Sequence, residues 1–149
     1  MTNSVCPVSK LTTIVLAIDN SMHSEAAIKE AFGLAKACST QLYALSVVEC
    51  NEEFEALAPQ AVEKMGEATK KLLDSVIDRA KKENIKCNAI SHIGDDPAQY
   101  IVEEAKRLNA DMIIMGKHGA RKGLTKLIMG SVTAKVLSHA PCNVLVIVK

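Results

Sequence analysis

From Gly116 to Ser131 the chain reads GKHGARKGLTKLIMGS, with four glycines, four Lys or Arg and no acid. Glycines let backbone N–H groups approach a ligand closely. Gly130 and Ser131 open a segment with helical spacing, and a helix N-terminus offers unpaired N–H groups and a partial positive charge. Together these suit a phosphate. Lys117, Arg121, Lys122 and Lys126 add charge, and Ser131 and Thr133 add hydroxyls. The patterns GxxxxGK[ST] and GxGxxG are both absent, so neither common phosphate fingerprint applies. The plainer reading is a surface connection whose cations are solvated.

Other residues capable of chemistry are weaker candidates. Asp19 ends the apolar run TIVLAI and reads as a ligand contact, or more plainly as a strand end or helix cap. His118, inside the glycine loop, reads as a loop or phosphate contact rather than a catalytic base. Ser131 lacks the G-x-S-x-G surroundings of a nucleophile. Asp95 and Asp96 are explained by a turn and an N-cap. His92-Ile93-Gly94-Asp95 resembles the HxGH of nucleotidyl transferases only in part, because its fourth residue is wrong. The five cysteines, Cys6, Cys38, Cys50, Cys87 and Cys142, have no metal-type spacing. They read as reduced thiols, most of them small core residues.

The elements that must position these residues follow from the apolar pattern. TIVLAI (13–18), QLYALSVVE (41–49) and ADMIIMG (110–116) are short apolar runs, and NVLVIVK (143–149) closes the chain. All four read as strands, and 85–93 alternates as a half-exposed edge strand would. Between them lie segments of helical spacing. One carries Ala27, Ala31, Leu34 and Cys38, and another Ala61, Met65, Ala68, Leu72, Val76 and Ala80. A third carries Ala98, Ile101, Val102, Ala105 and Leu108, with Asp96 as N-cap and Pro97 at the first helical position. A fourth carries Val132, Val136 and Leu137, with Ser131 as a possible cap. Residues 51–60 read as a loop. Strands alternating with helices predict one α/β domain over 1–149. Its five-stranded parallel sheet is Rossmann-like or flavodoxin-like, of order 3-2-1-4-5, with helices on both faces. Ligands of such sheets bind outside the carboxyl ends of the strands at the switch in strand order. Asp19 and the glycine loop then face each other across the crevice, with the Val47–Glu49 end of the second strand on the same rim.

Composition excludes several classes. Net charge is +1, so no global field attracts nucleic acid or membrane. With no Trp, two Tyr and two Phe, stacking on single-stranded bases is disfavoured. No apolar run approaches the roughly 18 residues of a membrane span. The first residues, MTNSVCPVSKL, have no apolar signal-peptide region. The expectation is a cytoplasmic protein.

The segments AIDNS, SVVE, GDDPAQYIVEEAKRLNADMIIMGKHG and GSVTAKVLSHAPCNVLVIVK resemble the universal stress protein family of the UspA type, over nearly all of the chain. The ATP-binding branch of that family has G-x2-G-x9-G-[ST], whereas the second spacer in this chain is ten residues long. The resemblance implies ATP with Mg²⁺ in the crevice between the first and fourth strands. Asp19 would meet the ribose or a phosphate-bound metal. Val47 would hold adenine through its backbone, and Gly116 would contact the ribose. Lys117 and His118 belong to the same loop. Gly119, Gly130, Ser131, Val132 and Thr133 would surround the phosphates. It also implies a homodimer through the last strand, Val144–Val148. The expected function is an ATP-binding regulatory protein with little or no hydrolysis, not an enzyme. The alternatives are an ATP-independent dimeric interaction module of the same fold and, further off, a nucleotidyl-transfer enzyme.

Overall fold

A computed structural model describes residues 5–118 and 129–148 of the chain. Strand β1 (Thr13–Ala17) leads to helix α1 (His23–Cys38), and β2 (Gln41–Glu49) to α2 (Glu52–Leu57) and α3 (Pro59–Lys82). Then come β3 (Cys87–Gly94), α4 (Pro97–Arg107), β4 (Met112–Gly116), α5 (Ser131–His139) and β5 (Asn143–Ile147). The five strands form one parallel sheet of order β3-β2-β1-β4-β5. That is the expected order, with β1 and β4 adjacent at the centre.

The period of two in the central strands explains why both faces are covered. Ile14, Leu16, Met112 and Ile114 point into a core shared with Ala27, Ile28, Ala31 and Phe32 of α1 and Leu73, Val76 and Ala80 of α3. Their neighbours Val15, Ile113 and Met115 point the other way, onto Ala98, Ile101 and Ala105 of α4 and Val136 of α5. A strand buried on both faces has no polar alternation, which is why β1 and β4 read as continuous apolar runs. Ile14, Ile113 and Ile114 are fully buried, and trimming any of them to Ala is expected to cost about 2–5 kcal/mol.

Polar ties fix where the strands begin. Asp111 Oδ2 accepts hydrogen bonds from Thr12 N–H (2.9 Å), Thr12 Oγ1 (2.7 Å) and Thr13 N–H (3.1 Å). These lock the start of β4 to the start of β1. Thr40 Oγ1 donates to the Leu11 carbonyl, and Gln41 N–H to that of Thr12. Asn84 and Asn109, at φ 57° and 50°, stop α3 and α4 in the left-handed conformation that asparagine tolerates better than most residues.

The structure corrects five expectations. Residues 51–60 are not a plain loop, because Asn51 Oδ1 accepts from Phe54 N–H at 2.7 Å and caps α2. The buried stripe of α3 is Val62, Thr69, Leu73, Val76 and Ala80, one position on from the predicted one in its first half. Met65 and Ala68 are thereby left off the core. Gly130 is the N-cap of α5, and Ser131 is its first helical residue. Leu137, predicted on the buried face, is exposed. Finally, the cysteines are not all reduced thiols: Cys6 and Cys38 are joined in a disulfide, leaving Cys50, Cys87 and Cys142 free.

Candidate functional site

At the carboxyl ends of β2, β1 and β4 lies a cavity of about 340 Å³, near the lower end of the range for small-molecule sites. The sheet order dictates its layout. Val47 and Glu49 of β2 stand at one end, Asp19 after β1 in the middle, and Gly116 of β4 with Gly130, Ser131, Val132 and Thr133 at the other. His118 also lines it. Lys117 does not, and Gly119, Arg121, Lys122 and Lys126 lie outside the described residues.

The β1–α1 turn is shaped by Asp19. Its Oδ1 accepts from Ser21 N–H (2.8 Å) and Ser24 Oγ (3.0 Å), and Ser24 Oγ in turn accepts from Asp19 N–H (2.8 Å). Asp19 therefore holds the turn after β1 rather than capping α1, whose N-cap is Met22 with no side-chain cap hydrogen bond, and it lines the cavity.

The far end is built by β4 and α5. Gly130 N–H donates to the Lys117 carbonyl (3.0 Å), and Lys117 N–H to that of Ile147 (2.9 Å). The two anchored ends of the basic loop are thus drawn together on the edge of the sheet. Thr133, almost fully buried, donates its hydroxyl to the Gly116 carbonyl (2.9 Å). Among the described residues no side chain caps α5, and its first turn, Gly130–Thr133, lines the cavity, so the unpaired N–H groups and positive dipole end of a helix N-terminus stand at that wall. Gly116 is closely approached: a Cβ there would lie 3.3 Å from both the His118 carbonyl oxygen and His23 Cβ, so a side chain would push one of them back by a few tenths of an ångström. The His23 and His118 ring centroids are 5.6 Å apart, with the rings tilted at 59°.

Several lining residues escaped the sequence reading. Met65, Ala68 and Thr69 of α3, Pro97 and Ile101 of α4, and Ser24 and Ser46 also wall the cavity. Ser46, a polar residue inside the apolar run 41–49, carried a signal, since a buried polar group is the informative exception. No apolar periodicity can tell a wall residue such as Met65 from a core residue.

The remaining candidates lie elsewhere. His92 Nε2 is 2.9 Å from Glu104 Oε1 and its ring stacks on Tyr100 at 4.6 Å, outside the cavity lining. Asp96 is the N-cap of α4 and pairs with Lys135. Among the described residues no group of three or more His, Cys, Asp or Glu is arranged to hold a metal, and no helix is long and apolar enough to cross a membrane.

The parallel sheet, its strand order and the cavity at its central strand ends place the chain among Rossmann-like α/β proteins, which bind ligands at that position. Within that class the chain belongs to the universal stress protein family, whose profile matches residues 10–148. A universal stress protein of Methanocaldococcus jannaschii is 32% identical over 139 residues, which cover 91% of this chain and 81% of that protein. The UspA structure from Lactobacillus plantarum superposes with a TM-score of 0.79 at 26% identity, covering 94% of this chain and 99% of that one. A family member from Arabidopsis thaliana, solved with AMP bound, shares the fold at TM-score 0.65 and 20% identity, covering 91% and 90% of the two chains. Universal stress proteins solved with cAMP and with dAMP share it at 23% and 20% identity.

Proposed function

We propose that this chain, as a single domain over 1–149, binds an adenine nucleotide, ATP with Mg²⁺, in the β1–β4 crevice and holds it with little or no hydrolysis. The observation that carries the reading is the cavity itself. One end is walled by β2 and α3 with apolar groups suited to a base, and the other by an α5 N-terminus that no described side chain caps. Adenine would lie against the Val47 backbone, the ribose near Gly116 and Asp19, and the phosphates on Gly130, Ser131 and Val132. Gly119, Lys117 and His118 complete the proposed set. The Thr133 hydroxyl hydrogen is committed to Gly116, so Thr133 would support the phosphate end through the backbone or as an acceptor.

The cavity wall suits Mg²⁺ only together with a ligand. Asp19 offers one carboxylate and no metal cluster stands ready among the described residues. Mg²⁺ is commonly held by one or two carboxylates plus substrate phosphates and water. Bound there, it would neutralise phosphate charge.

Binding without turnover is proposed with Asp19, Glu49 and His118 in the lining, Asp19 Oδ1 being already engaged by Ser21 and Ser24 in holding the β1–α1 turn. The His92–Glu104 pair, the obvious candidate for general-base work, is at β3 and α4 and does not reach the cavity. This also counts against nucleotidyl transfer. The related structures with AMP, cAMP and dAMP support the adenine nucleotide class. Homodimerisation through β5 fits its position at the sheet edge, where an unpaired apolar strand is a hazard unless covered. A cytoplasmic location is part of the same proposal.

The test is mass spectrometry of small molecules released on denaturing freshly purified protein. Stoichiometric adenine nucleotide is expected. An empty extract would favour the second reading, an interaction module without nucleotide, which the ten-residue spacer 120–129 supports.

A further inference from the structure

We propose that the Cys6–Cys38 bond is a dithiol-reducible latch, which fastens the segment before β1 to the end of α1 and releases it without unfolding the sheet. The two cysteines are 32 residues apart in sequence, with Cα atoms 4.7 Å apart. Cys38 is the last residue of α1, and Cys6 lies in a segment without regular structure.

What makes the bond a latch rather than a staple is how little else holds that segment. Among the described residues no backbone hydrogen bond joins residues 5–10 to the rest of the chain. Their other attachment is apolar: half-buried Cys6 and Val8 pack against the core cluster beneath α1 and α3. From Leu11 onward the situation reverses. The Leu11 and Thr12 carbonyls accept from Thr40 and Gln41, and Thr12 and Thr13 donate to Asp111. The sheet is therefore fixed by bonds that do not depend on the disulfide. Cleavage frees residues 5–10 and uncovers the apolar ground under Val8, while β1 keeps its place.

The latch also sits apart from the proposed ligand site. It lies at the amino ends of β1 and β2, and the cavity lies at their carboxyl ends. The inference therefore stands whether or not a nucleotide binds. Disulfides are rare in reducing compartments unless they are redox-active, and a bond whose loss leaves the fold intact suits that use.

The step balances with a dithiol as reductant. Its thiolate bonds to Cys38 Sγ, the S–S bond breaks, and the electron pair leaves on Cys6 Sγ, which takes a proton. Cys6 is the better leaving group because the carbonyl end of α1 disfavours a thiolate at Cys38. The second thiolate of the reductant then displaces Cys38 Sγ, which is protonated. Two electrons and two protons pass to the protein, and the reductant closes its own disulfide.

The test counts alkylated cysteines by mass spectrometry in denatured protein, before and after native protein meets millimolar dithiothreitol. Three labels are expected before and five after. Backbone relaxation of the native protein by NMR should then show order parameters over residues 5–10 falling from the rigid range to below about 0.6 after reduction, with the strands unchanged. Cys6→Ser should show the low values without reductant and no response to it. Five labels before reduction would overturn the proposal. So would a bond that yields only in denaturant, unchanged order parameters over 5–10, or loosening of the whole sheet on reduction.

Discussion

Asp19 serves two ends at once. Its Oδ1 organises the β1–α1 turn through Ser21 and Ser24, and the residue lines the cavity. An asparagine can keep the acceptor geometry and lose the charge. Asp19→Asn is therefore expected to leave thermal stability nearly unchanged. It should weaken ATP binding in Mg²⁺ by about 10- to 100-fold, the value of one charged contact, and by much less in the presence of a chelator. Calorimetric titration under the two conditions checks this, and equal losses in both would remove Asp19 from the metal. Thr133 makes the opposite case, a residue whose value is structural. Thr133→Val strands the Gly116 carbonyl and should cost about 1–2 kcal/mol in urea unfolding. Asp19, Gly116 and Gly130 were legible in the sequence because their types and positions at strand or helix ends point to one rim. Met65 and Ala68 were not, because a helix face turned to a cavity and one turned to the core have the same composition.

At the scale of elements, the strands were legible and their exact partners were not. Apolar runs bounded by polar turns mark β1, β2 and β4, but no pattern announces that Asp111 ties β4 to β1. Hydrogen bonds from the Thr12 hydroxyl, then from the Thr12 and Thr13 N–H groups, hold the Asp111 carboxyl below the usual carboxylate range. A depressed native value stabilises the fold above the unfolded value of about 4, and that contribution is lost as pH falls through the native value. Wild type should therefore lose more stability between pH 5 and pH 2.5 than Asp111→Asn does. Urea midpoints at the two pH values measure the difference, and identical losses would show that the tie is not pH-linked. Helix α3 was legible in extent, since its Pro59–Lys82 span matches the pattern. Its facing was not, because near one end an amphipathic stripe tolerates a one-position rotation.

For the whole molecule, alternating strands and helices limit the chain to a parallel sheet, and right-handed crossovers leave a handful of doubly wound orders, of which the expected one puts β1 beside β4. The order β3-β2-β1-β4-β5 followed without any knowledge of contacts. The Cys6–Cys38 bond was invisible at this scale, because an odd number of scattered cysteines does not single out a pair that the fold brings together. The exposed edge at β5 predicts assembly. Sedimentation equilibrium should give about twice the 16.0 kDa chain mass, and a monomer at micromolar concentration would refute the proposed dimer. The central claim is the ligand, and one titration tests it most directly. ATP with Mg²⁺ should release heat at one site per chain on wild type and none on Gly130→Glu, whose carboxylate would sit at the buried cap of α5, with both proteins equally folded by circular dichroism. No heat from wild type at millimolar ATP, or undiminished binding by the variant, would contradict the account.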